Sequence, residues 1–160
     1  MNNMTQQPTF NGFVIEDAPC GKHTPQKQGQ QAAFNGKRAE ATIYCILKEL
    51  GYRVERQYPA CVGIHGGEMR VDLYIHSTDR FPQGLIVESK WQETSGTADE
   101  KLCFLVENIR TRYPAPTMVI YGGGGARQGM IDWLREQVDG QKLVAALSIE
   151  EFMTWVNRNL

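Results

Sequence analysis

Glu88-Ser89-Lys90 follows directly on three apolar residues, Leu85-Ile86-Val87, and the chemistry this chain could perform is concentrated there. Consecutive apolar residues mark a strand covered on both faces. Side chains alternate across a strand, so Glu88, Lys90 and Gln92 share one face while Ser89 and Trp91 take the other. A carboxylate and an ammonium at the polar end of a buried strand are costly to place without partners. Val71-Asp72-Leu73-Tyr74-Ile75 is a second strand candidate, with one carboxylate among apolar residues. Two carboxylates and a lysine able to converge on a metal ion suggest metal-assisted hydrolysis of a phosphodiester. The bland alternative is a partly exposed Glu88–Lys90 pair at a strand end, with Asp72 facing a turn.

Other chemistry is less well supported. His65 and His76 are isolated, with no Ser or Cys at a spacing that suggests a nucleophile, and read as loop or strand-end histidines. The four cysteines, Cys20, Cys45, Cys61 and Cys103, form no CxxC pair and read as free thiols. Cys20 and His23 with Cys61 and His65 could be drawn as a zinc set, against two buried cysteines and two loop histidines. Gly122 to Gly125 lack the Lys and Ser or Thr of a nucleotide-binding loop. They read as a flexible turn able to touch a phosphate backbone.

The elements that must position these residues follow from periodicity. A helix over Gln31–Leu50 carries Ala39, Ile43, Ile46, Leu47 and Leu50 at helical spacing, with Gly51 to end it. Glu40 and Tyr44 lie one turn apart on it. Gln57–Ile64 and the Asp72 segment, joined by His65-Gly66-Gly67, read as a hairpin, and Gly84–Gln92 as a third strand. Thr97 with Glu100 is a capping-box pattern for a helix to about Arg112, with Leu102, Leu105, Val106 and Ile109 as its buried stripe. Thr117–Tyr121 is a short strand, and a helix then runs through Val138 to stop at Gly140. Lys142–Leu147 is a last strand, and Ser148 with Glu151 caps a final helix that buries Phe152, Trp155 and Val156. Helix, hairpin, strand, helix, strand gives an α/β fold with a mixed sheet and helices on both faces. Residues 1–30, rich in Gln, Asn, Pro and Gly apart from Phe13-Val14-Ile15, read as a flexible arm, and 31–160 as one domain.

Composition bounds the possibilities further. The chain has 160 residues, 41% hydrophobic and 22% charged, which suits one soluble core. No apolar run reaches membrane-spanning length and Met1–Phe10 has no signal-peptide core, so the expectation is a cytoplasmic protein. A net charge of −1 excludes a uniformly basic coat. The cations are nonetheless clustered. No acid lies between Asp17 and Glu40, where Lys22, Lys27, Lys37 and Arg38 stand. None lies between Glu107 and Asp132, where Arg110, Arg112 and Arg127 stand. Such stretches are ordinarily solvated surface; beside a carboxylate cluster they could hold a polyanion.

The element order and these residues resemble the PD-(D/E)XK nuclease superfamily, the fold of many restriction enzymes, recombination nucleases and junction resolvases. The resemblance covers roughly Gly36 to Tyr121, with an αβββαβ core. The family's signature is an acid on the second core strand and Glu-x-Lys on the third, matched by Asp72 and by Glu88-Ser89-Lys90. Valine precedes Asp72 where the family name has proline. Glu40 matches a first-helix glutamate found in many members, and Gln92 a polar residue just past the lysine.

The resemblance implies a Mg²⁺-dependent DNA endonuclease, with Mn²⁺ as a substitute cofactor. Asp72, Glu88 and a carbonyl near Ser89 would bind the metal. Lys90 would orient the nucleophile and stabilise developing charge. Glu40 would hold a second metal or a metal-bound water, or else is a solvent-facing helix acid, and Gln92 would position a ligand or the phosphate. A core of this size leaves little chain for a separate base-reading domain. The expected substrate is therefore duplex or branched DNA cut with limited sequence preference by a homodimer, guided by Lys22, Lys27, Lys37, Arg38, Arg110, Arg112 and Arg127. The alternatives are a compact site-specific restriction-type enzyme, an RNA-directed nuclease, and a non-catalytic nucleic-acid-binding or assembly subunit of the same fold.

Overall fold

A computed structural model describes residues 28–92 and 98–160. Lys22, Lys27, Cys20, His23, the Phe13-Val14-Ile15 segment and the Thr97 cap lie outside the described residues. The described chain runs α1 (Gln28–Glu49), β1 (Val54–Val62), β2 (Glu68–Ile75), β3 (Leu85–Trp91), α2 (Ala98–Thr111), β4 (Thr117–Gly122), α3 (Gln128–Glu136), β5 (Leu143–Leu147) and α4 (Ile149–Asn159). The five strands form one sheet in the order β1-β2-β3-β4-β5. β1, β2 and β3 pair antiparallel, whereas β3, β4 and β5 pair parallel. The mixed sheet follows from the connections: short loops join the first three strands, and helices carry the chain over to β4 and β5.

The alternation of β3 and β4 divides the core into two layers. Leu85, Val87, Met118 and Ile120 point to the side where α1 supplies Ile43 and Leu47 and α4 supplies Phe152 and Val156. Ile86, Val119 and Tyr121 point to the side where α2 supplies Leu105, Val106 and Ile109 and α3 supplies Leu134. The consecutive apolar residues of β3 are fully buried because both faces are covered, the situation that such a run implies.

Element ends depart from the sequence reading where local hydrogen bonding intervenes. α1 begins at Gln28, inside the stretch read as a flexible arm. At its other end Leu50 is 46% exposed and not part of the buried stripe. There the chain turns at Gly51 (φ 89°), with the Gly51 and Tyr52 N–H groups donating to the carbonyls of Lys48 and Leu47. α3 stops at Glu136, short of Val138, because the Gln137 N–H already closes on Trp133 and Leu134. The loop that follows is then gathered by the Asp139 side chain. The Ser148–Glu151 capping box of α4 is formed in both directions.

Two features of β1 and β2 shape the site. Gln57, between Arg56 and Tyr58, which pair with Leu73 and Val71 on either side of Asp72, has φ 50°, an uncommon left-handed conformation for a residue other than glycine. On the other side of β2, pairing with β3 covers Ile75↔Leu85, Tyr74↔Ile86 and Leu73↔Val87, and goes no further. β2 and β3 therefore separate at the level of Asp72 and Glu88, and the gap is where the polar residues gather.

Candidate active site

Asp72 replaces the ladder bond lost at the gap. The Ser89 N–H donates to Asp72 Oδ2 at 2.8 Å, so the carboxylate is anchored to the backbone of β3 as well as to its own strand. Glu88 and Lys90 lie two residues apart on the face that also holds Ile86, and Lys90 Nζ stands 2.6 Å from Glu88 Oε2 and 3.4 Å from Asp72 Oδ2. The ammonium thus sits between the two carboxylates. Glu88 is 3% exposed, and a charge so deeply placed would cost several kcal/mol unpaired. It is satisfied twice, by Lys90 and by the Tyr113 hydroxyl, which donates to Glu88 Oε1 at 2.7 Å.

Burial is the largest influence on both members of the pair. It pushes the Glu88 carboxyl above the usual carboxylate range, against the opposing pull of Lys90 and the Tyr113 hydroxyl. It also works against the Lys90 ammonium, but Glu88 and Asp72 outweigh it and hold that group charged, above the usual lysine range. Burial and the neighbouring Glu88 charge raise the Tyr113 phenol, so it remains a donor at any ordinary pH.

A pocket of about 420 Å³ opens over this cluster, lined at its polar end by Glu40, Asp72, Ser89, Lys90 and Gln92. Ala33, Gly36, Lys37 and Glu40 enter from one face of α1, being spaced at three and four residues. Glu40 is brought to the pocket but not into the carboxylate pair. Its Oε1 accepts from Arg56 Nη2 at 2.8 Å, and its side chain is 13% exposed. Arg56 also lies over the Tyr44 ring, one helical turn from Glu40, so the two α1 residues hold it jointly. Glu40 is thus neither a solvent-facing acid nor positioned with Asp72 and Glu88 around one point. Among the described residues no three His, Cys, Asp or Glu side chains converge as a metal-binding group.

The two carboxylates of Asp72 and Glu88 nonetheless suit a hard divalent cation. They are oxygen donors on either side of the Lys90 ammonium, and Asp72 lines the pocket while Glu88 lies buried behind Lys90. Asp72 and Glu88 would hold such an ion, which would supply charge neutralisation at a bound phosphate.

The basic residues divide. Lys37 and Arg127 line the pocket. Arg38 lies over the Phe34 ring beside a shallower depression that includes Trp91. Arg110 donates to the Gln137 side chain at 2.9 Å, near the C-terminus of α2. That end of α2, with Arg112, leads to Thr117, which pairs with Ile86 at the start of β3, whereas Lys90 is near its end. Arg110 and Arg112 are therefore not brought to the pocket.

The glycine-rich turn is pinned rather than loose. The Gln92 N–H donates to the Gly122 carbonyl and the Gly125 N–H to the Gln92 carbonyl. A Cβ at Gly122 would overlap the Trp91 ring, and one at Gly123 (φ 95°) the Gln92 main chain. The glycines are there for close approach to the end of β3, and the Gly125 N–H is already spent. His65 stacks on Phe104, and His76 pairs with Glu55 at 2.7 Å, so neither histidine joins the cluster.

Sequence reasoning missed Tyr113, Arg56 and Lys101, the last of which also lines the pocket. Tyr113 follows the end of α2 in no periodic pattern. The available signal was chemical: a buried tyrosine hydroxyl requires a polar partner.

No curated protein matches the sequence. Among solved structures, SfsA of Pyrococcus furiosus in complex with Ca²⁺ is similar at 16% identity and a TM-score of 0.37. The alignment covers 75% of this chain but only 57% of that one. Residues 31–160 match the PD-(D/E)XK nuclease superfamily domain, and the chain belongs to that superfamily.

Proposed function

We propose that this chain is a divalent-metal-dependent endonuclease of DNA, with Mg²⁺ as the cofactor, Mn²⁺ as its substitute, and limited sequence preference. The observation that carries the reading is the convergence of Asp72 and Glu88 on Lys90, beside a pocket that Asp72 and Lys90 line. In the reaction a water oxygen attacks phosphorus, the bond to one sugar oxygen breaks, and that oxygen leaves with a proton. A divalent cation held by Asp72 and Glu88 supplies charge neutralisation at the phosphate and activation of the water. Lys90 keeps its proton and offers its positive charge to a phosphate oxygen as negative charge accumulates there. The Ser89 N–H fixes Asp72, and Tyr113 fixes Glu88, so both ligands are oriented before the substrate arrives. Glu40, tied to Arg56, and Gln92, at the end of β3, bound the same pocket and position the phosphate or its waters. Lys37 and Arg127 contribute backbone contacts, together with Arg38 on the adjoining surface and, by their place in the sequence, Lys22 and Lys27.

The test is cleavage of labelled single-stranded, nicked, branched and duplex DNA, and of RNA, with Mg²⁺ or Mn²⁺ against EDTA. Asp72→Ala, Glu88→Ala and Lys90→Ala are each expected to lower the rate by at least ~10²-fold. The carboxylate changes should also remove divalent-ion binding, while Lys90→Ala largely spares it. Full activity in any of the three would reject the assignment. Cleavage confined to RNA would transfer the same chemistry to a different polymer.

A further inference from the structure

The pocket over Asp72 and Lys90 continues beyond the polar groups into an apolar wall. Leu102 of α2, Tyr121 at the end of β4, and Met130, Ile131 and Leu134 of α3 form that part of its lining. Met130, Ile131 and Leu134 fall on one face of α3 by spacing. Leu134 and Tyr121 are buried beneath, whereas Leu102, Met130 and Ile131 remain partly exposed. The exposed Lys37 and Lys101 complete the lining with positive charge.

A site that had only to hold a phosphodiester, a cation and water would have no use for an apolar wall of this extent. The backbone of a continuous duplex presents phosphates and sugars, while the faces of its bases are stacked out of reach. A nucleobase freed from the stack offers the missing apolar surface, and a volume of about 420 Å³ is within the range of small-ligand pockets. Positive charge beside an apolar surface matches a nucleotide, with its phosphate at Lys90 and its base against α3.

We infer that the wall formed by Leu102, Met130 and Ile131 receives an unstacked base next to the phosphate that is cut, so the substrate is DNA unpaired at the cleavage point. A single strand, a frayed end and a branch point satisfy this requirement; a continuous duplex does not. The inference rests on the nuclease reading and deepens it by naming the form of DNA. Contact through base faces rather than edges also accounts for limited sequence preference.

The experiment uses the full chain in EDTA, titrated calorimetrically with a trideoxynucleotide and with the same molecule lacking its central base. The complete trinucleotide is expected to bind about tenfold more tightly, the scale of taking the apolar surface of one base face out of water. Ile131→Gln should bring the two probes to equal affinity. Met130→Gln, on the same wall, serves as a second variant, and circular dichroism confirms that each is folded. Equal binding of both probes by the wild-type protein, including no detectable binding of either, overturns the inference. A cleavage assay with Mg²⁺ then separates it from the reading beneath it. A duplex with a mismatched bubble should be cut at least ten times faster than its fully paired counterpart. Equal rates would overturn the unpaired-substrate inference and leave the nuclease standing. No cleavage of any substrate, with base-dependent trinucleotide binding intact, would support the pocket and reject the nuclease.

Discussion

Tyr113 is the residue whose contribution is easiest to isolate. It is 2% exposed and donates to Glu88 Oε1, while Lys90 occupies Oε2, so each oxygen of a buried carboxylate has its own donor. Tyr113→Phe preserves the ring and removes only the hydroxyl. The Glu88 carboxylate then loses one of its two side-chain donors, and hydrogen bonds to charged groups contribute about 1.5–3 kcal/mol. We expect a loss of stability on that scale. We also expect a ten- to hundredfold weakening of Mg²⁺ affinity or activity, the usual size for a residue that orients a ligand. Urea unfolding and the Mg²⁺ dependence of the cleavage rate check the two effects separately. A purely packing role would leave the Mg²⁺ dependence unchanged.

At the scale of elements, the α3–β5 connection is organised by one side chain. Asp139 Oδ1 accepts from the N–H groups of Gln141, Lys142 and Leu143 at 2.8, 2.8 and 3.1 Å. Burial acts against its charge, but those three donors and the nearby Arg110 outweigh it and hold the carboxyl below the usual range. A carboxyl whose folded-state pKa is depressed stabilises the fold above its unfolded value of about 3.9, and that contribution disappears as pH falls through the folded value. Asp139→Asn keeps an acceptor oxygen but not the charge. It should cost up to about 1 kcal/mol near pH 7, because the group is largely solvated. The difference from wild type should shrink as pH drops below about 4, which urea unfolding at a series of pH values would show. A difference constant with pH would assign the effect to shape alone.

For the whole molecule, the near-neutral balance of 17 basic and 18 acidic residues decides how it can approach a polyanion. On the proposed nuclease reading, binding would come from local clusters such as Lys37, Arg38 and Arg127, and a two-fold pair of chains would double them. We expect sedimentation to show a dimer at working concentrations, and DNA affinity to fall steeply as salt rises from about 50 to 200 mM, as phosphate-dominated binding does. A monomer with salt-insensitive binding would require recognition through base contacts within a single chain. Among the described residues no helix is long and apolar enough to cross a membrane.

Local pattern was sufficient for the αβββαβ order, for the buried strand ending in Glu88-Ser89-Lys90, and for the capping box of α4. Each depends on spacing within one element: period two in β2, consecutive apolar residues in β3, and Ser148 three residues before Glu151. The sequence also placed Glu88 and Lys90 on one face, because alternation along a strand is geometric. It could not show that Lys90 sits between two carboxylates, since that depends on β2 and β3 parting at Leu73↔Val87. Nor could it show that Arg56, 16 positions away, takes Glu40 out of the carboxylate pair, or that Tyr113, 25 positions away, holds Glu88. The purpose of Gly122 and Gly123 was equally hidden, because a glycine records a backbone freedom but not the neighbour that requires it. Periodicity is a property of neighbouring residues along the chain. Pairing across a gap between strands is a property of register, twist and packing, and only the folded sheet decides it.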